Sequence, residues 1–385
     1  MTAMPMLPQA GQATAIDALD EDTRMMSAAL CLARRGLGHV APNPPVGALI
    51  VKDGIVAGRG FTGAGGRPHA ETIALHEAGG AAKGATLYVT LEPCSHHGHT
   101  PPCVDAIIAA GISRVVSAMD DPDPRVSGQG HARLRAAGID LRTGVLAESA
   151  ARLNLGHALR VTRGRPILTL KLAETADGYA AGPAGSPRLM LTSESANAHV
   201  QMLRTLHDAI LVGSGTALAD DPLLTVRLPG LEAAKPLRIV LDSKLALNPA
   251  SRLAATGAEH PTLILTMEAA SRTAASELAG QGLEILRVAG DGAGHVDLAV
   301  ALTALAQRGL TRVFCEGGPR LAASLMMGGF ADEIILLTSA VAVEGQGVAA
   351  LDPISRAALA DPAQFRCVED RMLGRDRLRR YERRL

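Results

Sequence analysis

Short aliphatic runs that end in glycine turns and lead into helical segments recur along this sequence, and that alternation constrains the fold most. VGALIVKDGIVAGRG (Val46–Gly60) reads as two strands about an Asp53-Gly54 hairpin turn. HAETIALHEAGG (His69–Gly80) reads as a helix closed by Gly79-Gly80, and ATLYVTLEPC (Ala85–Cys94) as a strand entering a loop. CVDAIIAAGI, SRVVSAMDDP and GHARLRAAGI continue as helix, strand and helix, after an opening helix TRMMSAALCLARRG that closes near Gly36. A second series begins near Arg165: PILTLKLAETADG, DAILVGSGTALADDP, LRIVLDS, TLILTM and TRVFCEGG are β-runs that enter loops, and DEIILLTSA adds another. Such alternation predicts α/β layers. The helix and basic turn over Ala147–Gly164 separate the two series, and 385 residues suit two or three domains. The first twenty residues read as a loose tail. GRDRLRRYERRL at the far end reads either as a solvated basic tail or as an edge strand.

Composition excludes several function classes. Lys and Arg total 38, as do Asp and Glu, so the net charge of +0 lacks the footprint of a general nucleic-acid binder. Aromatic residues are 2% of the chain with no Trp, which removes stacking platforms for single strands. The 47% hydrophobic content, nearly all aliphatic, excludes disorder. No apolar run reaches the roughly 18 residues that span a bilayer. The start shows no basic and apolar signal-peptide pattern, and five Cys form no disulfide framework. A soluble protein of a reducing compartment is the expectation.

Histidine and cysteine concentrate in PHAE (Pro68–Glu71) and EPCSHHGHTPPC (Glu92–Cys103). Thiolate and imidazole are the ligands zinc prefers, and a catalytic zinc keeps three protein ligands and a water. His69 and Glu71 sit at a helix start, Cys94 follows a strand, and Cys103 lies at the next helix N-terminus. His-x-Glu facing Pro-Cys…Cys is the arrangement of zinc deaminases, in which the Glu moves protons and is not a ligand. Eight residues separate Cys94 from Cys103, however, where that pattern has two. His96, His97 and His99 read either as solvated loop residues or as a fourth ligand that would make the zinc structural. Cys31, Cys315 and Cys367 read as buried small hydrophobes, and His76 as a structural or surface residue.

The second series offers two glycine-centred loops. TRVFCEGGPRLAASLMM is a strand, a glycine turn and a helix whose N-terminal amides suit a phosphate. GSGTALADDP supplies Gly, Thr and Asp at another strand end, where open α/β sheets bind ligands. Gly213 and Gly215 have no third glycine at Leu218, so a standard dinucleotide fingerprint is absent.

Taken together, PNPPVGALIV, RPHAETIAL, YVTLEPCSHHGHTPPC and MDDPDPRVSGQG resemble the deaminase half of the bifunctional riboflavin-biosynthesis deaminase–reductase family, in which the longer Cys–Cys insertion is the rule. LTLKLAETADGYAA, LVGSGTALADDPLLTVR, RIVLDS and FCEGGP resemble its reductase half, in the same order. The resemblance implies an N-terminal cytidine-deaminase-like α/β/α domain over 21–150 and a C-terminal dihydrofolate-reductase-like α/β domain over 165–385. GRDRLRRYERRL would then be the closing strand. It implies zinc on His69, Cys94 and Cys103, Glu71 as proton shuttle, and Asn43 against the pyrimidine. It further implies NADPH near Ala173, Met190, Thr216, Asp220, Ser243 and the Gly318, Pro319, Arg320, Leu321, Ala322, Ala323, Ser324 loop. Arg204, Leu224, Arg227 and Glu316 would lie near the ribose-phosphate substrate, while Lys171 and Asp177 match motif positions without an assigned contact.

The implied activity is hydrolytic deamination of 2,5-diamino-6-ribosylamino-4(3H)-pyrimidinone 5′-phosphate, then NADPH-dependent reduction of the ribosyl chain, in a cytoplasmic homodimer or higher homo-oligomer. Three positions depart from the family's usual residues: Thr62 stands for a His, His99 for a Lys or Arg, and Met190 for a Trp. Two other readings fit parts of the sequence. One is a nucleoside or RNA-base deaminase with an unrelated accessory domain, against which the neutral charge and the long Cys–Cys loop argue. The other is a zinc-stabilised nucleotide-binding module in which those three departures mark lost activity.

Overall fold

The computed structural model describes residues 20–97, 101–183, 189, 191–343 and 346–384. The expected N-terminal tail up to residue 19, His99 and Met190 therefore lie outside the described residues. Two compact units emerge. One comprises the described residues as far as Gly36, Pro45–Gly63 and Arg67–Leu153; the other comprises Leu37–Pro44, Ala64–Gly66 and the described residues of Asn154–Leu385.

The first unit runs α1 (Glu21–Arg34), β1 (Gly47–Lys52), β2 (Ile55–Phe61), α2 (Ala70–Ala78), β3 (Thr86–Val89), α3 (Cys103–Ala109), β4 (Arg114–Ser117), α4 (Gln129–Ala136), β5 (Asp140–Thr143) and α5 (Ala147–Leu153). Its sheet has the order β2-β1-β3-β4-β5, antiparallel at β2-β1-β3 and parallel from β3 to β5. Asp53 and Gly54 both have positive φ (48° and 76°), as the tight hairpin turn between β1 and β2 requires. α2 is seated on β2 by small residues. A Cβ at Gly58 would lie 2.2 Å from the Ala74 carbonyl, and one at Gly60 would lie 2.3 Å from that of Ala70. Ala70, Ala74 and Ala78, one helical turn apart, form the buried face that meets these glycines. This close approach fixes the N-terminus of α2, where His69 and Glu71 stand.

The second unit runs α6 (Leu155–Arg163), β6 (Ile167–Glu174), β7 (Tyr179–Ala181), α7 (Glu194–Thr205), β8 (Ala209–Gly213), α8 (Ser214–Asp220), β9 (Leu237–Leu241), α9 (Arg252–Ala255), β10 (Thr262–Met267), α10 (Arg272–Gly280) and β11 (Glu284–Val288). It continues with α11 (Leu298–Gln307), β12 (Arg312–Cys315), α12 (Pro319–Met327), β13 (Glu333–Thr338), β14 (Val348–Ala349), α13 (Pro353–Ala360), β15 (Phe365–Leu373) and β16 (Asp376–Arg383). The main sheet has the order β11-β10-β9-β8-β12-β6-β13-β16-β15; it is parallel as far as β13 and antiparallel over the last two strands. β6, β8 and β12 are almost wholly buried, as strands covered on both faces must be. β12 inserts between β8 and β6, so the strand order reverses there, and the carboxyl ends open a crevice.

Three expectations change. GRDRLRRYERRL holds the closing strand, as the resemblance implies, but it is neither a free tail nor an edge: β16 pairs with β13 on one side and β15 on the other, because the hairpin through Gly374 lays β15 outside it. Cys315 is buried, but Cys31 and Cys367 are exposed, on the outer face of α1 and on the edge strand β15. α1 ends at Arg34 with Arg35 as its cap, one residue ahead of Gly36. Among the described residues no helix is long and apolar enough to cross a membrane.

Candidate active sites

In the first unit, His69 is the N-cap of α2, Glu71 lies in its first turn, and Cys103 is the first residue of α3. Cys94 comes from the loop after β3. His69 Nδ1 lies 3.2 Å from Cys103 Sγ and 3.6 Å from Cys94 Sγ, and the Cys103 backbone N–H donates to Cys94 Sγ at 3.3 Å. Ligands about 2.1 and 2.3 Å from a tetrahedral zinc are themselves about 3.6 Å apart, so this trio has the spacing of a zinc site. The electrostatics agree. Its contact with Cys103, helped by His69, holds the Cys94 thiol down at about 4, whereas the contact with Cys94 and then burial push Cys103 far up. Two thiolates cannot share the spot without a cation between them.

Glu71 is 4% exposed; burial first, then the Cys94 charge, raises its carboxyl above the usual range. A carboxyl so placed takes up and releases protons nearer neutrality than a surface glutamate. His96 and His97 are exposed and stand apart from the His69, Cys94, Cys103 group. Thr62 is buried, and its hydroxyl accepts from the Val46 N–H at 2.9 Å, so it is spent within the β1–β2 region. Asn43 falls in the second unit, where its Nδ2 donates to the Gly66 carbonyl at 2.9 Å.

Sequence reasoning passed over Glu92. It is 5% exposed, and its carboxylate accepts from the backbone N–H groups of Asp121, Gly128, Gly130 and His131. Its place beside Pro93-Cys94 was the available signal.

The crevice of the second unit has a volume of about 1810 Å³ and gathers Ala173, Thr216, Asp220, Ser243, Gly318, Pro319, Arg320, Leu321 and Ser324 along its walls. Lys171, Arg204, Leu224, Arg227 and Glu316 line it as well. Ala322 instead is fully buried in the core, and Ala323 is not a lining residue, because α12 presents one face only to the crevice. The two glycine loops are joined: the Gly318 N–H donates to Thr216 Oγ1 at 3.0 Å. Ser243 Oγ accepts from the Val296 N–H at 3.0 Å.

Arg204 is not a free phosphate fork. It forms a two-pronged ion pair with Glu316 and donates through Nη1 to the Thr225 carbonyl. Burial tends to raise Glu316, but Arg204, Lys171 and Arg227 together hold its carboxyl below the usual range. Arg227, whose Nη1 donates to Thr225 Oγ1 at 3.2 Å, stands nearer to solvent. Asp177 does not line the crevice; it accepts from the Val343 N–H and from the Thr175 hydroxyl, locking a turn. Lys244, Arg252 and His295 also line the crevice and went unnoticed in the sequence, although Lys244 directly follows Ser243.

Comparison with known proteins matches residues 19–119 to the cytidine and deoxycytidylate deaminase zinc-binding region, and residues 166–375 to the RibD C-terminal domain. The riboflavin biosynthesis protein RibD of Escherichia coli (strain K12) is 40% identical over 371 residues, covering 92% of this chain and 98% of that protein. The chain belongs to the RibD family of riboflavin-biosynthesis proteins. RibD of Aquifex aeolicus (strain VF5) is 42% identical over 328 residues, 85% of this chain and 89% of that one. Among solved structures, Acinetobacter baumannii RibD, form 1, superposes with a TM-score of 0.82 at 33% identity, over 94% of this chain and 99% of that chain. The diaminohydroxyphosphoribosylaminopyrimidine deaminase/5-amino-6-(5-phosphoribosylamino)uracil reductase of Thermotoga maritima gives a TM-score of 0.79 at 33% identity, with the same coverage. As a RibD protein, the chain is a bifunctional enzyme, a hydrolase through its zinc-binding deaminase half and an oxidoreductase through its reductase half. A reductase half calls for a nicotinamide cofactor.

Proposed function

We propose that the deaminase domain, residues 21–150, hydrolyses 2,5-diamino-6-ribosylamino-4(3H)-pyrimidinone 5′-phosphate, and that the reductase domain, residues 165–385, reduces the deaminated product with NADPH. The observation that carries this reading is the convergence of His69, Cys94 and Cys103, with buried Glu71 two residues from one of them. His69, Cys94 and Cys103 would hold zinc, which when bound would lower the pKa of a water toward about 7. Glu71 takes a proton from the attacking water and delivers it to the departing amine; the ring gains oxygen and ammonia leaves. Its raised proton affinity supports the uptake of that proton. Asn43 would orient the pyrimidine.

In the crevice of the second unit NADPH would lie along Ala173, Thr216, Asp220, Ser243 and the crevice-facing residues Gly318, Pro319, Arg320, Leu321 and Ser324 at the start of α12. The Thr216–Gly318 hydrogen bond sets the two glycine loops side by side for this. Arg227 offers the phosphate a charged fork. Arg204 and Leu224 complete that side, and Glu316, held by Arg204, accepts from the sugar hydroxyls. When bound, NADPH would supply the hydride that C1′ of the opened sugar imine needs to become the ribityl amine, its nitrogen taking a proton. The enzyme would act in the cytoplasm as a homodimer or higher homo-oligomer. Zinc per chain, ammonia release and NADPH oxidation, measured on one preparation, test the reading. Ammonia release that survives Glu71→Ala unchanged overturns the deaminase mechanism, and failure to oxidise NADPH with the deaminated product overturns the reductase half.

A further inference from the structure

Cys94 and Cys103 come from a loop and from a separate helix, and α4 ties both in place. Glu92, two residues before Cys94, accepts through Oε1 from Gly130 N–H at 2.7 Å and His131 N–H at 3.2 Å. Through Oε2 it accepts from Asp121 at 3.0 Å and Gly128 at 2.8 Å. Gly128 caps α4 without a side-chain bond of its own, so Glu92 supplies the acceptor that a Ser or Asp would give at that position. The same carboxylate lies near Asp120 and His131, but the amides occupy it as a cap.

Two further contacts run from α4 to the ligand-bearing segments. Gly130 packs against Pro93 so closely that a Cβ would lie 2.1 Å from the Pro93 carbonyl oxygen. Arg133, on the same helix, donates through Nη1 to the Ser95 carbonyl at 2.8 Å and through Nη2 to Asp105 on α3. The backbone on both sides of Cys94 is thus fastened to α4, and the same arginine fastens the helix that begins with Cys103.

We propose that α4 is a splint for the metal ligands, with Glu92 and Arg133 as positioning residues that set the separation of Cys94 and Cys103 and so the hold on the ion. This rests on the zinc reading above. Groups that orient ligands without touching the metal typically govern affinity by about 10–100-fold.

The test uses the full chain carrying Glu92→Gln or Arg133→Met, loaded with zinc, and follows release into excess chelator. The cobalt-substituted proteins are read by their thiolate-to-metal absorption. Release about tenfold faster in both variants, with altered cobalt absorption, is expected. Arg133→Lys, which keeps one donor, is expected to fall between parent and Arg133→Met. NADPH oxidation on supplied deaminated substrate should match the parent and report an intact reductase half, and cooperative urea unfolding of the first unit at the parent midpoint should report the other. Should Glu92→Gln fail to fold, Arg133, whose side chain is 43% exposed, carries the test. Release rates and spectra equal to the parent in every variant would overturn the splint. A parent chain that takes up no zinc would overturn the zinc reading itself.

Discussion

Arg204 and Glu316 hold each other in the wall of the reductase crevice, Nε to Oε1 at 2.6 Å and Nη2 to Oε2 at 3.0 Å, with side chains only 10% and 11% exposed. A buried pair of this kind is costly to break from one side, because the survivor keeps its charge without a partner. Glu316→Gln is therefore expected to destabilise the second unit by on the order of 3 kcal/mol. It should also depress NADPH oxidation while ammonia release stays at the parent level. Denaturant unfolding and the two activity assays on one preparation check this; full reductase activity would remove Glu316 from the site.

Glu71→Gln keeps the shape of the side chain and removes its proton transfer. Ammonia release should fall by about 10²–10⁴, the usual worth of a positioned acid–base group. Zinc content should remain at the parent value, since Glu71 is not a ligand. Loss of zinc along with activity would instead make Glu71 a structural support for the site.

Asp22 anchors the first unit through acid-sensitive contacts. Its carboxylate takes two hydrogen bonds from Arg114, at 2.8 and 2.7 Å, and others from Arg142 and from the Tyr88 hydroxyl. Arg114 chiefly, with Arg142 and Tyr88, lowers its pKa from 3.8 to about 2 against the cost of burial. A depressed carboxylate contributes stability above its unfolded pKa and loses it as pH falls through the folded one. The contribution, on the order of 2 kcal/mol, should therefore disappear between about pH 4 and pH 2. Urea unfolding at stepped pH should show a steeper decline across that window for the parent than for Asp22→Asn.

Arg238 is fully buried, and its hydrogen bonds run to the carbonyls of Leu223, Leu253, Thr256 and His260 and to the Thr256 and Thr262 hydroxyls. Burial lowers its pKa to about 10, so it stays charged at neutrality. Leu223 precedes Leu224, a crevice residue held at φ 51°, where a leucine is strained. Arg238→Met strands several carbonyls and is expected to cost about 3 kcal/mol or more. It should raise the reductase KM more than it lowers kcat, because the loop loses its seat and the reacting groups stay. Steady-state NADPH kinetics distinguish this from a purely global loss.

Local signals carried the secondary structure. Asp53-Gly54 announces the β1–β2 turn, and the glycine pair after Ala78 stops α2, because left-handed backbone is cheap only for glycine and the short polar residues. The convergence of His69, Cys94 and Cys103 was legible from the motifs, His69 and Cys103 standing at helix starts and Cys94 in the loop after β3. The pairing of Arg204 with Glu316 was not: 112 positions separate them, and each alone reads as a ligand contact. Asp177 likewise looks like a site residue in its motif, yet it lies outside the crevice and its carboxylate holds the Val343 backbone.

By itself the sequence determined the alternating elements, the break between the two α/β series and the kinds of side chain at each strand end. Periodicity, turn propensity and ligand chemistry act over a few residues. Tertiary structure alone decided which strand ends lie side by side, that β16 is covered by β15, and that Glu92 caps a helix more than thirty residues away. Those outcomes depend on strand order and close packing, in which every long-range contact must be satisfied at once, and no local window contains that information.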